Sequence, residues 1–460
     1  MKDYLKKRKK FIQDFNNILP KYKNELPHLI INEINENIYE NSCFTSKQYS
    51  TNQQKHTIKY KKSFPKTVIN CKKIKMLLNK EQKIIIDSWM DAYTRMYNET
   101  LVYIRENCPV FNNNINREKV LTIDKTKYAN SIFLRSQLMN IKKEIQKNTQ
   151  IKELDYDTKI HIHTLDYAIR QLVSNIKSAI TNTVRGNFKR FRIKFWKNSR
   201  PSKTIEIEKQ YIKNNIFCPK IFKTINYEFN GKPYNLSGIN NNVKINYNKI
   251  NNEYMLLIPN ENKPQKVNNR NKIISLDPGL RTFMTGLSDK KIIKLGTDVN
   301  SKISRKLDKL DKIKNNKNIS NKIKKKNETL INRKIHNMVD EVHWKCINYL
   351  TKNYDTVLLG DMSAKSIVNN KNSILSASMK VACLRSRYFE FRQRLEYKCN
   401  LNKVNYFLVN ECYTSKICSL CGHYNDKLKG EKIYECPQCK ISIDRDVNGC
   451  RNIFIKSQIE

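Results

Sequence analysis

Acidic residues are what this sequence is short of. Its 460 residues include 42 Asp and Glu against 88 Lys and Arg, a formal net charge of +46. A compact chain with that excess repels itself, which implies a polyanion to neutralise it. The basic residues run through the whole chain instead of gathering in one patch or amphipathic helix. That excludes a protein bound only to anionic lipid and points to nucleic acid. Heavy use of Lys, Asn and Ile is what an AT-rich genome would produce, and it accounts for runs such as Asn112–Asn114. It does not account for acids failing to keep pace with bases.

Long apolar runs are missing too. No stretch reaches the roughly 18 apolar residues of a membrane-spanning helix, so no membrane partner is expected. The first residues also lack the apolar segment of a secretory signal. The 13 cysteines are scattered except for four, and the chain is long, so a secreted disulfide scaffold is excluded and a reducing compartment expected.

What is present divides the chain by texture. Residues 1–65 are polar and weakly periodic, a flexible basic arm with one helix near Leu5–Ile18. The run Lys6–Lys10 has the composition of a nuclear import signal or a phosphate-binding arm. A short β-like stretch leads into a helical block. Ile84, Ile85, Trp89, Tyr93, Met96, Tyr97, Leu101 and Ile104 recur at three- and four-residue steps and predict an amphipathic helix over 81–106. Further helices are expected over 134–145 and 161–180, with His161 and His163 structural. Residues 186–196 alternate basic with aromatic or apolar side chains, so a strand is expected, either presenting cations to phosphates or simply half-buried. Short strands continue to Pro259 and suggest a small β-barrel. After a polar linker over 260–271 come three strands, a very basic helical segment over 301–334, a strand at 356–359, a helix over 381–398 and a strand at 404–409. The basic segment holds 13 Lys and Arg against three acids. This order suits an α/β, RNase H-like fold, a mixed sheet flanked by helices.

Two constellations carry chemistry. Cys418-x2-Cys421 is followed, 14 residues on, by Cys436-x2-Cys439. Paired knuckles of this kind set four thiolates tetrahedrally about 2.3 Å from a zinc ion, leaving no open position, so one structural Zn²⁺ is expected. The second is acidic. Asp277 ends the strand Ile273–Leu276 and the chain turns at Pro278–Gly279, while Asp444 and Asp446 stand at the start of the last helix, where either is also a natural N-cap. Two-metal phosphodiester cleavage needs about three carboxylates converging from different elements on Mg²⁺ ions some 3.5–4 Å apart.

Leu276-Asp277-Pro278-Gly279-Leu280-Arg281-Thr282-Phe283 resembles the first RuvC motif of the transposon-encoded TnpB proteins and their eukaryotic and viral relatives, the Fanzors. Tyr413-Thr414-Ser415-Lys416-x-Cys418-x2-Cys421-Gly422 resembles the family's zinc-ribbon signature, and Asp444-Arg445-Asp446-Val447-Asn448-Gly449-Cys450-Arg451-Asn452-Ile453 its third RuvC motif. The resemblance selects Asp446 over Asp444 as metal ligand. It extends more weakly back to about Val68. One departure is informative. Where most of the family carry a glutamate after the strand 356–359, this chain has Gly360, which offers no ligand, followed by Asp361, which should face the other way. Fanzors and some TnpB proteins supply a glutamate just before the Tyr-Thr-Ser-Lys signature instead. Glu411 stands there, with Asp361 as the runner-up.

The resemblance implies an RNA-guided DNA endonuclease associated with a transposable element, with Asp277, Glu411 and Asp446 catalytic and holding two Mg²⁺ ions, for which Mn²⁺ can substitute. Cys418, Cys421, Cys436 and Cys439 hold zinc. It implies a wedge β-barrel over 66–79 and 186–265, a helical recognition domain over 80–185, a RuvC nuclease over 271–412 and 441–460, and a zinc ribbon over 413–440. The implied partners are a guide RNA from the element's own end and double-stranded target DNA with a short flanking motif. A Fanzor-like protein would work in the nucleus of a eukaryotic or virus-infected host, a bacterial relative in the cytoplasm or nucleoid. The alternatives are a nucleic-acid-binding regulator with a decayed nuclease, and a transposase or resolvase that needs no RNA.

Overall fold

The computed structural model describes residues 64–458 apart from 214–215, 250, 267–271, 289–290, 370–374 and 429. The Lys6–Lys10 run and the helix expected near Leu5–Ile18 lie outside the described residues. Among the described residues no helix is long and apolar enough to cross a membrane. The chain forms two compact units, one over Ile69–Glu261 and one containing everything from Asn262 onward.

In the first unit, helix α1 (Lys80–Asn107) opens on a capping box. The Asn79 side chain accepts the Gln82 N–H, and the Gln82 side chain returns to the Asn79 N–H. Trp89, Tyr93, Met96, Tyr97, Leu101 and Ile104 are buried as their spacing predicts, but Ile84 is 51% exposed and Ile86 takes its place in the core. The helix expected over 134–145 is two, α2 (Ser131–Gln137) and α3 (Met139–Lys147), broken at Leu138. In α4 (Ile162–Val184), Leu165, Ala168, Ile169 and Leu172 face the core. His161 stacks on Tyr211, and the exposed His163 sets its Nδ1 3.3 Å from the buried Asp166 carboxylate.

Six strands form this unit's main sheet: β1 (Val68–Leu77), β2 (Ser202–Ile207), β3 (Asn226–Phe229), β4 (Lys232–Pro233), β5 (Val243–Asn248) and β6 (Glu253–Asn262). Their order is β2-β5-β6-β1-β3-β4. Among the described residues no ladder joins the outer strands β2 and β4 to close the expected barrel. The stretch 186–196 is not a strand either, save for Arg190–Phe191. At its end the Asn98 side chain donates to the Trp196 carbonyl and accepts the Trp196 N–H, so the ladder groups of that residue are already taken. The Trp196 ring stacks 3.7 Å from Tyr97, with the Arg200 guanidinium 3.9 Å from its centre.

The second unit is built on strands β7 (Ile273–Pro278), β8 (Thr282–Ser288), β9 (Ile292–Thr297), β10 (Thr356–Gly360) and β11 (Asn405–Val409), in the order β9-β8-β7-β10-β11. The first three form an antiparallel meander, and β10 and β11 are added in parallel. The basic segment is two helices, α5 (Val299–Asn315) and α6 (Asn321–Asn353), the second capped by Ser320 and running on into the apolar stretch around Val339. Where one helix was expected over 381–398 there are two, α7 (Ala377–Arg385) and α8 (Tyr388–Asn402). They part at Arg387, whose φ of +51° ends the helical path and whose guanidinium is held by Asp340 and Glu390. Strand alternation sorts the core into two layers. Val357 and Leu359 pack with Leu350 of α6 and Phe391 of α8. Leu358 and Val409 pack on the opposite face with Val447, Cys450 and Ile453 of the last helix, α9 (Arg445–Ser457). The coarse expectation of a mixed α/β unit with helices on both faces matches this arrangement.

Candidate active site and metal centre

On the sheet face that α9 covers, Glu411 and Asp446 both lie near enough to Asp277 to act on its charge. Asp277 lies one step beyond the pair Leu276–Leu359, level with Gly360 on the parallel neighbour. Its carboxylate is packed so close to α9 that a Cβ added at Gly449 would lie 2.5 Å from Asp277 Oδ2. A glycine in mid-helix costs stability; here it leaves room for the aspartate. Asp446 reaches the same corner from α9, its Oδ2 being 3.9 Å from where a Cβ at Gly279 would stand. Asp444 is otherwise engaged. It caps α9 by accepting the Asp446 N–H and pairs with Lys294 at 3.1 Å.

Glu411 supplies the third carboxylate from the loop after β11. A Cβ at Gly360 would collide with Glu411 Oε1 and stand 2.7 Å from both Cγ and Cδ. The glutamate therefore fills the volume that a side chain at position 360 would otherwise occupy. Asp361 is turned to a different task. Its Oδ1 accepts the Glu411 N–H at 2.8 Å, and its own N–H extends the strand pairing to the Val409 carbonyl.

The electrostatics of the trio are strained. Burial, followed by the charges of Glu411 and Asp446, holds Asp277 well above the usual carboxylate range. Burial and the neighbouring Asp361 push Glu411 up to about 8, with the Met362 N–H opposing them. Burial and Asp444 raise Asp446. Glu411 Oε1 is shut off from water with no hydrogen-bond partner. An orphaned carboxylate oxygen beside two further carboxylates fits the chemistry of a divalent cation, which would replace the protons the cluster otherwise favours. Among the described residues the four cysteines described next form a group of side chains gathered closely enough for one metal ion, and the three carboxylates do not.

Those sulfurs all lie within 4.8 Å of one another, with Cys418–Cys439 at 3.6 Å and Cys421–Cys436 at 3.5 Å. A tetrahedron of thiolates each about 2.3 Å from zinc has edges near these lengths. Each knuckle turns on a residue of positive φ just after its second cysteine, Gly422 at +78° and Lys440 at +61°. Hydrogen bonding between the sulfurs lowers the Cys421 thiol and raises that of Cys418.

Motif reading left three contacts unnoticed, although their residues stand inside the quoted motifs. Asn448 of α9 accepts the Ser419 N–H and donates to the Ile417 carbonyl, tying the helix to the first knuckle. Asn452, one turn on, donates to the carbonyls of Thr414 and Ile417. Thr414 in turn closes the Glu411 loop, its N–H and hydroxyl both donating to the Glu411 carbonyl.

The family model for the Cas12f1-like TNB domain matches residues 388–453, from α8 through both knuckles into α9. Two TnpB-like proteins of Acanthamoeba polyphaga mimivirus are each 32% identical over 418 residues, 88% of this chain and 76% of theirs. The solved CRISPR-Cas12f ternary complex aligns with 96% of this chain and 95% of its own at 15% identity, with a TM-score of 0.30, too low to speak for a shared arrangement. The mimiviral likeness runs through both compact units, and on it the chain belongs to the TnpB family.

Proposed function

We propose that this protein is an RNA-guided DNA endonuclease of the TnpB/Fanzor type, cleaving target DNA in a RuvC site and associated with a transposable element. The observation that carries the reading is Glu411, whose carboxylate fills the space beside Gly360 on the same face as Asp277 and Asp446. That arrangement favours a working nuclease over a decayed one, because a site under no demand has no cause to regain its third acid from another loop. The sheet order and the parallel addition of β10 and β11 support the RNase H-like assignment.

Asp277, Glu411 and Asp446 would hold two Mg²⁺, or Mn²⁺ in their place. Ions so bound activate water and stabilise the leaving oxygen in phosphodiester hydrolysis. The protein's own part is to bring three carboxylates to one corner on a strand end, a loop and a helix start. Cys418, Cys421, Cys436 and Cys439 would hold one structural Zn²⁺ and keep the loop and helix in register. The net charge of +46 suits a guide RNA from the element's own end and a double-stranded target. If the role is Fanzor-like, the protein would work in the nucleus of a eukaryotic or virus-infected host, with Lys6–Lys10 serving as an import run or as a phosphate-binding arm.

RNA dependence separates this reading from a transposase or resolvase acting alone. Protein purified from cells carrying its native flanking DNA should retain stoichiometric RNA of one sequence family, and RNase treatment should abolish cleavage of a matching target. Cleavage that survives RNase would rule the guided reading out.

A further inference from the structure

Glu411 stands on a loop, whereas a metal-binding residue at position 360 would be fixed by the strand ladder. The regular pairing of β11 ends at Val409, opposite Gly360. Beyond it a loop residue has no neighbour strand to hold it, and an unfixed carboxylate does not keep two cations at a set distance. Something must replace the ladder.

We propose that Asp361 is a positioning residue for the reaction: its carboxylate, by accepting the Glu411 N–H, fixes the Glu411 loop so that the glutamate reaches into the space beside Gly360. The contact is 2.8 Å from Glu411 N to Asp361 Oδ1. A carboxylate acceptor makes a stronger bond to a backbone N–H than a neutral one does. On the other side of the residue, Thr414 donates its N–H and hydroxyl to the Glu411 carbonyl at 3.0 and 2.9 Å. Both backbone polar groups of Glu411 are thereby tied down, one to the end of β10 and one to the start of the zinc ribbon. Asp361 is in turn fixed by its own N–H on the Val409 carbonyl at 3.0 Å. The bond thus runs from the residue after the vacated position to the residue that replaces it. Asp361 needs no contact with metal to matter, and its Oδ1 is already engaged.

The inference rests on Glu411 being the third ligand, and the test keeps the two apart. Four full-length proteins with their copurified RNA are compared: the parent, Glu411→Gln, Asp361→Ala and Asp361→Asn. Asparagine keeps the Oδ1 acceptor and drops the charge, while alanine drops both. Readouts are single-turnover cleavage of a matched target and Mn²⁺ binding by calorimetry without DNA, with thermal unfolding as a control. Asp361→Ala should cut at least about tenfold more slowly, the order expected when a catalytic group is misplaced, and bind Mn²⁺ more weakly. Asp361→Asn should restore both to within about threefold of the parent, as one retained hydrogen-bond acceptor allows. If Asp361→Ala matches the parent while Glu411→Gln is dead, the positioning role is wrong although the site is right. If Asn and Ala are equally dead with unchanged unfolding, Asp361 acts through its charge and the hydrogen-bond account is overturned. If Glu411→Gln cuts normally, the reading of the site fails and the positioning role with it. Should alanine prevent folding, the asparagine variant decides alone, since loss of activity there contradicts the proposal.

Discussion

Glu411 shows what one side chain must tolerate to serve at this site. Its acid is raised from 4.5 to about 8, mainly by burial, so between those values the folded chain keeps a proton that the unfolded chain has released. Stability contributed by this group therefore falls as pH rises through that window. Glutamine has no proton to lose. In metal-free buffer Glu411→Gln should lose less stability than the parent between pH 5 and 8, ending with a Tm higher by on the order of 2–4 °C. Mg²⁺ should raise the parent's Tm at pH 8 and leave the variant's unchanged. Parallel pH slopes would show that Glu411 titrates as an ordinary surface acid. How much of this could be read beforehand differs by residue. Asp277 was legible from its place before a Pro-Gly turn. Asp446 needed the family likeness to be told from Asp444, and the structure adds that Asp444 is occupied as cap and ion-pair partner. Glu411 was legible only by resemblance, because no periodicity shows that a loop carboxylate can fill a glycine's missing volume.

At the scale of elements, the zinc knuckles and α9 act as one piece. Asn448 and Asn452 join the helix that carries Asp446 to the backbone of Thr414, Ile417 and Ser419. Zinc binding supplies much of the folding energy of such modules, roughly 10–16 kcal/mol in isolated fingers. Cys418→Ser or Cys439→Ser should therefore lose one zinc equivalent by elemental analysis and loosen both the ribbon and the start of α9, seen as faster proteolysis across 413–450. Full zinc content in either variant would remove the assignment. The knuckles were readable because metal-ligand spacing is a local property. The failures were tertiary. Residues 186–196 alternate like a strand, but Asn98 occupies the Trp196 backbone. Nothing in local spacing showed that Ile86 would displace Ile84 from the core, nor that Arg387 would divide the helix over 381–398.

For the whole molecule, the deficit of acids and the buried carboxylates near Asp277 belong to one description. A strongly basic chain repels cations in general, so a divalent site within it must be made locally, by buried carboxylates whose own repulsion the ions relieve. Cleavage by Glu411→Ala shows whether these carboxylates make such a site. The variant and the parent, each loaded with the same guide RNA, are compared on one matched duplex at saturating Mg²⁺, with RNA retention measured in the same samples. Glu411→Ala should keep its RNA and bind target but cut at a barely detectable rate, as Asp277→Ala and Asp446→Ala should, because losses among groups acting as a unit do not add. Cutting at the parent's rate by Glu411→Ala would contradict it and return the third ligand to Asp361 or to another group.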